Sequence, residues 1–239
     1  MYKRLHWILS LPFVPFLFGF GLPGTSSKQH VTMSSLDPLF GVAATVSGMK
    51  DDPVANAKVT YPVTNVGKYD DFFKKSAEVR GSLIASQAFT TTTIVNMKAT
   101  ARSALAKSEL GNSIKEVVGD KPEGEWSIED TATILKLQKK KGEVTSEQLK
   151  GIGQSAASIG GMSVFLAKVP TTSMELGTQA KDLAGSVSTD FSGLAATKVP
   201  EVTQALNDSR DSLTKAGEQA VVTGKELSRL GYAIKMALE

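Results

Sequence analysis

An all-α fold is what this sequence predicts: an elongated antiparallel helical bundle with a coiled-coil-like C-terminal helix and an irregular N-terminal lead. Three observations carry the expectation. Apolar and small residues recur at helical spacing from about Gly67 onward, two helix-start signatures flank a glycine turn at Gly142, and the last segment holds an unbroken heptad pattern. With aromatics at only 7% of the chain, the core should be aliphatic and alanine-rich.

The first element expected is a targeting segment, residues 1–24. Lys3 and Arg4 precede a sixteen-residue uncharged run, Trp7 to Leu22, and Pro23-Gly24-Thr25-Ser26-Ser27 follows. A basic start, an apolar stretch and small residues describe a secretory signal peptide. A retained membrane anchor is the alternative, although Pro12 and Pro15 interrupt the run and it is short of the ~20 residues of a spanning helix. Residues 25–66 read as an irregular linker. Asp37-Pro38, Gly41, Gly48, Asp52-Pro53 and Tyr61-Pro62 punctuate it, and the residue before each proline is biased away from helix. Val54 to Val63 alternates like a strand but shows no obvious partner, so a tether is the preferred reading.

The helical body, 67–239, opens with Asp70 and Asp71 where a first turn favours negative charge. Phe72, Val79, Leu83, Thr90, Ile94, Met97, Ala101 and Ala104 then fall along one stripe. Four successive threonines, Thr90 to Thr93, lower intrinsic helicity and predict a local bend. The pattern ends near Val118-Gly119, and Asp120 to Gly124 is a turn by composition.

Ser127 with Asp130 approximates a capping box, and Lys139-Lys140-Lys141 before Gly142 suits the negative end and left-handed cap of the same helix. Thr145 with Gln148 forms a second box, with Val144 and Leu149 placed as a hydrophobic staple. Helices Ser127–Lys141 and Thr145–Val169, joined by a tight glycine turn, are therefore predicted. The run Ile134 to Leu137 followed by Gly142 to Leu149 resembles the short helical hairpins appended to many bacterial proteins, which implies local structure and no function.

Lys168-Val169-Pro170 recurs as Lys198-Val199-Pro200, each proline followed at matching positions by leucine (Leu176 and Leu183, then Leu206 and Leu213). Two helices each opened by proline explain this, and one long kinked helix does so equally. Taking Val202 as heptad position d puts Leu206, Leu213, Leu227 and Ile234 at a, with small residues at most d positions. The seam suits either a bundle interior or a coiled coil between subunits.

Composition narrows function by exclusion. The chain has no cysteine and two histidines, His6 and His30, so from Val31 onward there is neither imidazole nor thiol. Nucleophile pairs built on Ser-His or Cys-His, and zinc sites of Cys or His, have no ligands there. No disulfide or cysteine-anchored lipid is available. Leaving aside Lys3 and Arg4, 25 basic residues face 24 acidic ones, without the basic excess of a nucleic-acid binder. Neither a dinucleotide nor a phosphate-loop motif is present, since Gly224-Lys225 is followed by Glu226. No cofactor is expected.

Two uncharged stretches stand out, Gly81 to Met97 and Gly151 to Ala167, and they would lie alongside each other if the chain reverses near residues 120–126. The second carries Gly153, Ala157 and Gly161 at the spacing that lets helices touch. These, with Leu206, Leu213, Leu227 and Ile234, are the candidate packing and interaction residues. The expectation is a non-catalytic structural or interaction protein of the cell envelope, periplasmic or surface-located, whose partners are proteins met through helix–helix contacts, including a second copy. The alternative is a membrane-active protein, like α-helical pore formers, that inserts the two uncharged stretches.

Overall fold

The computed structural model describes residues 28–32, 58–105, 111–193 and 197–239. They form an all-α bundle with a small β-ribbon at one side. In chain order the elements are β1 (Lys28–Thr32), β2 (Lys58–Pro62), α1 (Gly67–Leu105), α2 (Gly111–Val118), α3 (Ile128–Lys140), α4 (Ser146–Asp190) and α5 (Lys198–Leu238). The signal or anchor expected at 1–24 lies outside the described residues.

The ribbon corrects the reading of 25–66 as linker alone. β1 and β2 pair antiparallel, His30 opposite Thr60, and the ribbon packs on α1. Val59 and Tyr61 alternate toward the helix and are buried. The alternating stretch 54–63 finds its partner in β1, with the paired His30 and Thr60 30 residues apart, a non-local pairing that no local pattern reveals. Asp70 fixes the ribbon to the helix. Its carboxylate accepts from the Thr64 amide (2.6 Å), the Thr64 hydroxyl (2.8 Å) and the Asn65 amide (3.0 Å), across a corner where Asn65 takes φ 64°.

α1 is buried on two faces. Phe72, Val79, Leu83, Thr90 and Met97 form the expected stripe, while Phe73, Ala77, Ala85 and Ala88 form a second one about a third of a turn away or more. The threonine run produces no break: the helix is continuous through Thr93, and Thr90 Oγ1 donates to the Ser86 carbonyl (2.8 Å). α2 ends at Val118, the expected end of the helical pattern, and Gly119 follows at φ +64°, a left-handed cap.

Both capping boxes form. Ser127 and Asp130 exchange hydrogen bonds at the start of α3, and Thr145 and Gln148 do so at the start of α4. Gly142 at φ +73° makes the turn between them. The predicted end of the second helix at Val169 is corrected: α4 runs through Pro170 to Asp190, 45 residues or about 67 Å. Of the two proline repeats, only Pro200 stands in the first turn of a helix.

α4 and α5 lie antiparallel over most of their length, with Gly153 beside Leu238, Ile159 beside Gly231, Leu166 beside Gly224 and Gly177 beside Arg210. Tyr69 of α1 meets Ser186 of α4, and eighteen residues on Gln87 reaches Thr223 of α5, level with Leu166. α1 therefore runs antiparallel to α4 and parallel to α5. It also brings the uncharged stretch 81–97 partly alongside 151–167. α3 joins at one end only, parallel to α5, through Glu129–Arg229 and Lys136–Glu239. The rod thus has three helices at one end and four at the other.

Candidate functional site

Side chains that let helices meet are what the sequence offers in place of reactive groups, and the structure sorts them into an inner seam, a clasp and an outer face. On α5 all eleven a and d residues from Val202 to Ala237 are buried within the single chain. Leu206, Leu213, Leu227 and Ile234 have no exposed surface at all. They hold the rod together, and none is open to a second molecule.

The close approach between α4 and α5 is made elsewhere in the heptad. Gly217, Gly224 and Gly231 recur every seven residues, one position after the d residues Ala216, Thr223 and Leu230. A β-carbon on Gly217 would sit 3.6 Å from Cα of Pro170, on Gly224 3.9 Å from Leu166 and on Gly231 3.3 Å from Ile159. The column continues as Arg210 against Gly177 and Leu238 against Gly153. Gly153 therefore takes part in this seam at its end. Gly161 is half-buried in the middle of α4, and Ala157 lies on the same helix. Reading the heptad only for its apolar positions hides the glycine column, although its seven-residue spacing is present in the sequence.

A polar clasp ties the start of α1 to the end of α4. The buried Tyr69 hydroxyl donates to Asp190 Oδ2 (2.7 Å) and lies within hydrogen-bond reach of the Leu183 carbonyl and the Ser186 hydroxyl. Lys68 Nζ is 2.5 Å from the same carboxylate oxygen, and the ring of Phe191 meets Tyr69 edge-on at 5.0 Å. The lysine and the phenol hold the Asp190 carboxyl below the ordinary carboxylate range. Burial pushes the Tyr69 phenol up to about 12, so at neutral pH it is a donor and not a base. No local signal marks this pair, which is 121 residues apart in the chain.

Other polar groups act similarly. Gln138 Nε2 donates to the Ala101 carbonyl (2.9 Å), linking α3 to α1. Burial raises the Glu129 carboxyl, but hydrogen bonds from its own backbone and from Arg229 outweigh this and leave it lowered. Asp130 is lowered in the same manner by Ser127 and Lys121. Arg80, largely withdrawn from water, is lowered to about 10 by burial.

The largest exposed apolar side chains lie mostly on the α4–α5 pair: Val164, Met174, Val221, Val222 and Tyr232, with Val95 on α1. Among the described residues no group of three or more His, Cys, Asp or Glu is arranged to hold a metal ion. No described helix is long and apolar enough to cross a membrane. Comparison with protein-family models, with curated proteins and with solved structures finds no match.

Proposed function

We propose that this chain is an exported, non-catalytic structural or interaction protein of the cell envelope, a rod that engages other proteins through helix–helix contacts. One observation carries the reading: from Val31 to Glu239 there is no histidine and no cysteine, while the long helices expose aliphatic side chains on the α4–α5 pair. The ionisable groups that are held tightly, Tyr69 with Asp190 and Glu129 with Arg229, join helix to helix. The apolar run Trp7 to Leu22 behind Lys3 and Arg4 supports export, by a cleaved signal or with the run kept as a tether.

The test is fractionation of the native cell with the tagged full chain, followed by capture of its partners from the envelope fraction. Recovery in the envelope with a partner that is lost when exposed α4–α5 residues are charged is the expected result. Recovery wholly in the cytoplasm, or turnover of a substrate by the purified chain, would end the proposal.

The membrane-active reading draws on the uncharged stretches 81–97 and 151–167. Much of both is turned into the bundle, so insertion would require α1 to leave α4 and α5. Dye-filled liposomes decide between the two. Sealed vesicles fit the scaffold, and leakage abolished by Thr92→Asp would favour insertion.

A further inference from the structure

The outward face of α5 carries a stripe that winds along it every three or four residues: Asp211, Thr214, Glu218, Val221 with Val222, Lys225, Arg229 and Tyr232. Every one of these residues is exposed. The order of charge along the stripe is simple. Both carboxylates precede the two valines, and both cations follow them. Arg210, Lys215 and Glu226, the nearest charges of opposite order, fall about a fifth to a quarter of a turn off its midline, and Arg210 pairs with Asp211 beside it at 3.5 Å.

A stripe with acid before an apolar centre and base after it matches itself when turned end for end. We propose that the α5 outer face binds a second copy of this chain, antiparallel, about a two-fold axis between Val221 and Val222. In that arrangement Val221 meets Val222 of the second copy, and Glu218 meets its Lys225. Asp211 comes opposite Tyr232 of the second copy, whose hydroxyl can donate to it. The contact is isologous, each pair occurring twice, which is the usual geometry of a two-chain assembly.

Three observations on the surface fit this occupant. Val221 and Val222 are 49% and 55% exposed at the centre of the stripe, the pattern of an uncovered contact. Neither Glu218 nor Lys225 has an ion-pair partner among the described residues, whereas Arg229 already holds Glu129 at 2.9 Å. Pro170 beside Gly217 and Leu166 beside Gly224 place the level of the valines at about residues 167–168 of α4, and the exposed Val164 and Met174 bracket that level. An anionic membrane or a nucleic acid would select one sign of charge, and this stripe carries both. The buried seam at Leu206, Leu213, Leu227 and Ile234 is excluded as the self-association surface because it is already the interior of one chain.

The proposal rests on the interaction-protein reading and names the partner. A monomeric rod that still captures an envelope protein would overturn it and leave that reading standing. The experiment is sedimentation equilibrium of the full chain and of charge-swapped variants, with far-ultraviolet spectra to check the fold. The native chain should show the two-chain mass at micromolar concentration. Glu218→Lys or Lys225→Glu alone should raise the dissociation constant by about tenfold or more, since each places like charges face to face. The double variant E218K/K225E should return to within about twofold of the native value, because the pairs are restored in reverse. Val222→Asp tests the apolar centre and should leave a single-chain mass with an unchanged helical spectrum. A single-chain mass for the native protein at up to about 100 μM, or association untouched by either single swap, would overturn the proposal. So would a double variant as weak as the single ones.

Discussion

The same tripeptide, Lys-Val-Pro, occurs twice in this chain and is used in two ways. Pro200 sits in the first turn of α5, where the backbone amides have no helical acceptor and a missing donor is harmless. Pro170 sits in the middle of α4, where it cannot donate to the Leu166 carbonyl and its ring crowds the preceding turn. The neighbour across the seam accounts for the difference. Opposite Pro170 stands Gly217, which removes a side chain where the proline-bearing turn comes closest, and Ser173 fills the space beside it. A helix carries an internal proline where the partner helix yields room and supplies packing on both sides of it. Where the chain meets a turn instead, the same residues begin a helix.

The largest loss should come at the seam that holds both prolines in place. Leu213→Asp sets a charge with no partner in a fully buried position and should cost roughly 4 kcal/mol or more, abolishing a cooperative melt. A folded variant that only lost assembly would show the seam to be an interface instead. Next in size is the glycine column. Gly217→Leu drives branches toward Pro170 and should lower stability by about 1–3 kcal/mol in denaturant titration. Gly217→Ala has ordinary contact distance at 3.6 Å and gains helix propensity, so it should be neutral or mildly stabilising. Gly231→Ala, at 3.3 Å from Ile159, should do worse than Gly217→Ala.

The clasp gives a smaller effect. Tyr69→Phe removes one buried hydroxyl from the end of α4 and should cost about 1–2 kcal/mol, read as a lower melting temperature. The carboxyl of Asp190 is lowered in the folded chain, so its contribution is present above the ordinary carboxylate pKa of about 4 and fades as pH falls through the folded value. Asp190→Asn should therefore flatten the acid side of the stability profile and leave its neutral-to-alkaline shape alone. The smallest expected changes are at the two prolines themselves. Pro170→Ala should raise stability by up to about 1 kcal/mol as the Leu166 carbonyl regains a donor, while Pro200→Ala should stay within about 0.5 kcal/mol. Equal effects at the two sites would show that Pro170 and Pro200 do not differ in cost.

Much of the fold was legible because its signals are local. The two capping boxes, the end of the helical pattern near Val118-Gly119 and the glycine turn at Gly142 each involve residues within one helical turn of one another, and each formed as read. The heptad of α5 was legible for the same reason: its period is that of the helix face it buries. The candidate packing residues were less complete. Leu206, Leu213, Leu227 and Ile234 lie inside the rod, while the glycines that set helix separation, Gly217, Gly224 and Gly231, carry no side chain to notice. The β-ribbon and the Tyr69–Asp190 clasp were out of reach, because their halves are distant in sequence and neither half is distinctive alone.

Helix identity, the capped helix starts, the aliphatic interior and the lack of imidazole and thiol from Val31 onward were therefore determined by the sequence itself, since each depends on residue type and near-neighbour spacing. The continuity of α4 through Pro170, the pairing of β1 with β2, and the exposure of the charge-ordered face of α5 were decided by tertiary structure. These depend on which surfaces meet, and that is settled only when distant segments compete to bury the same apolar area.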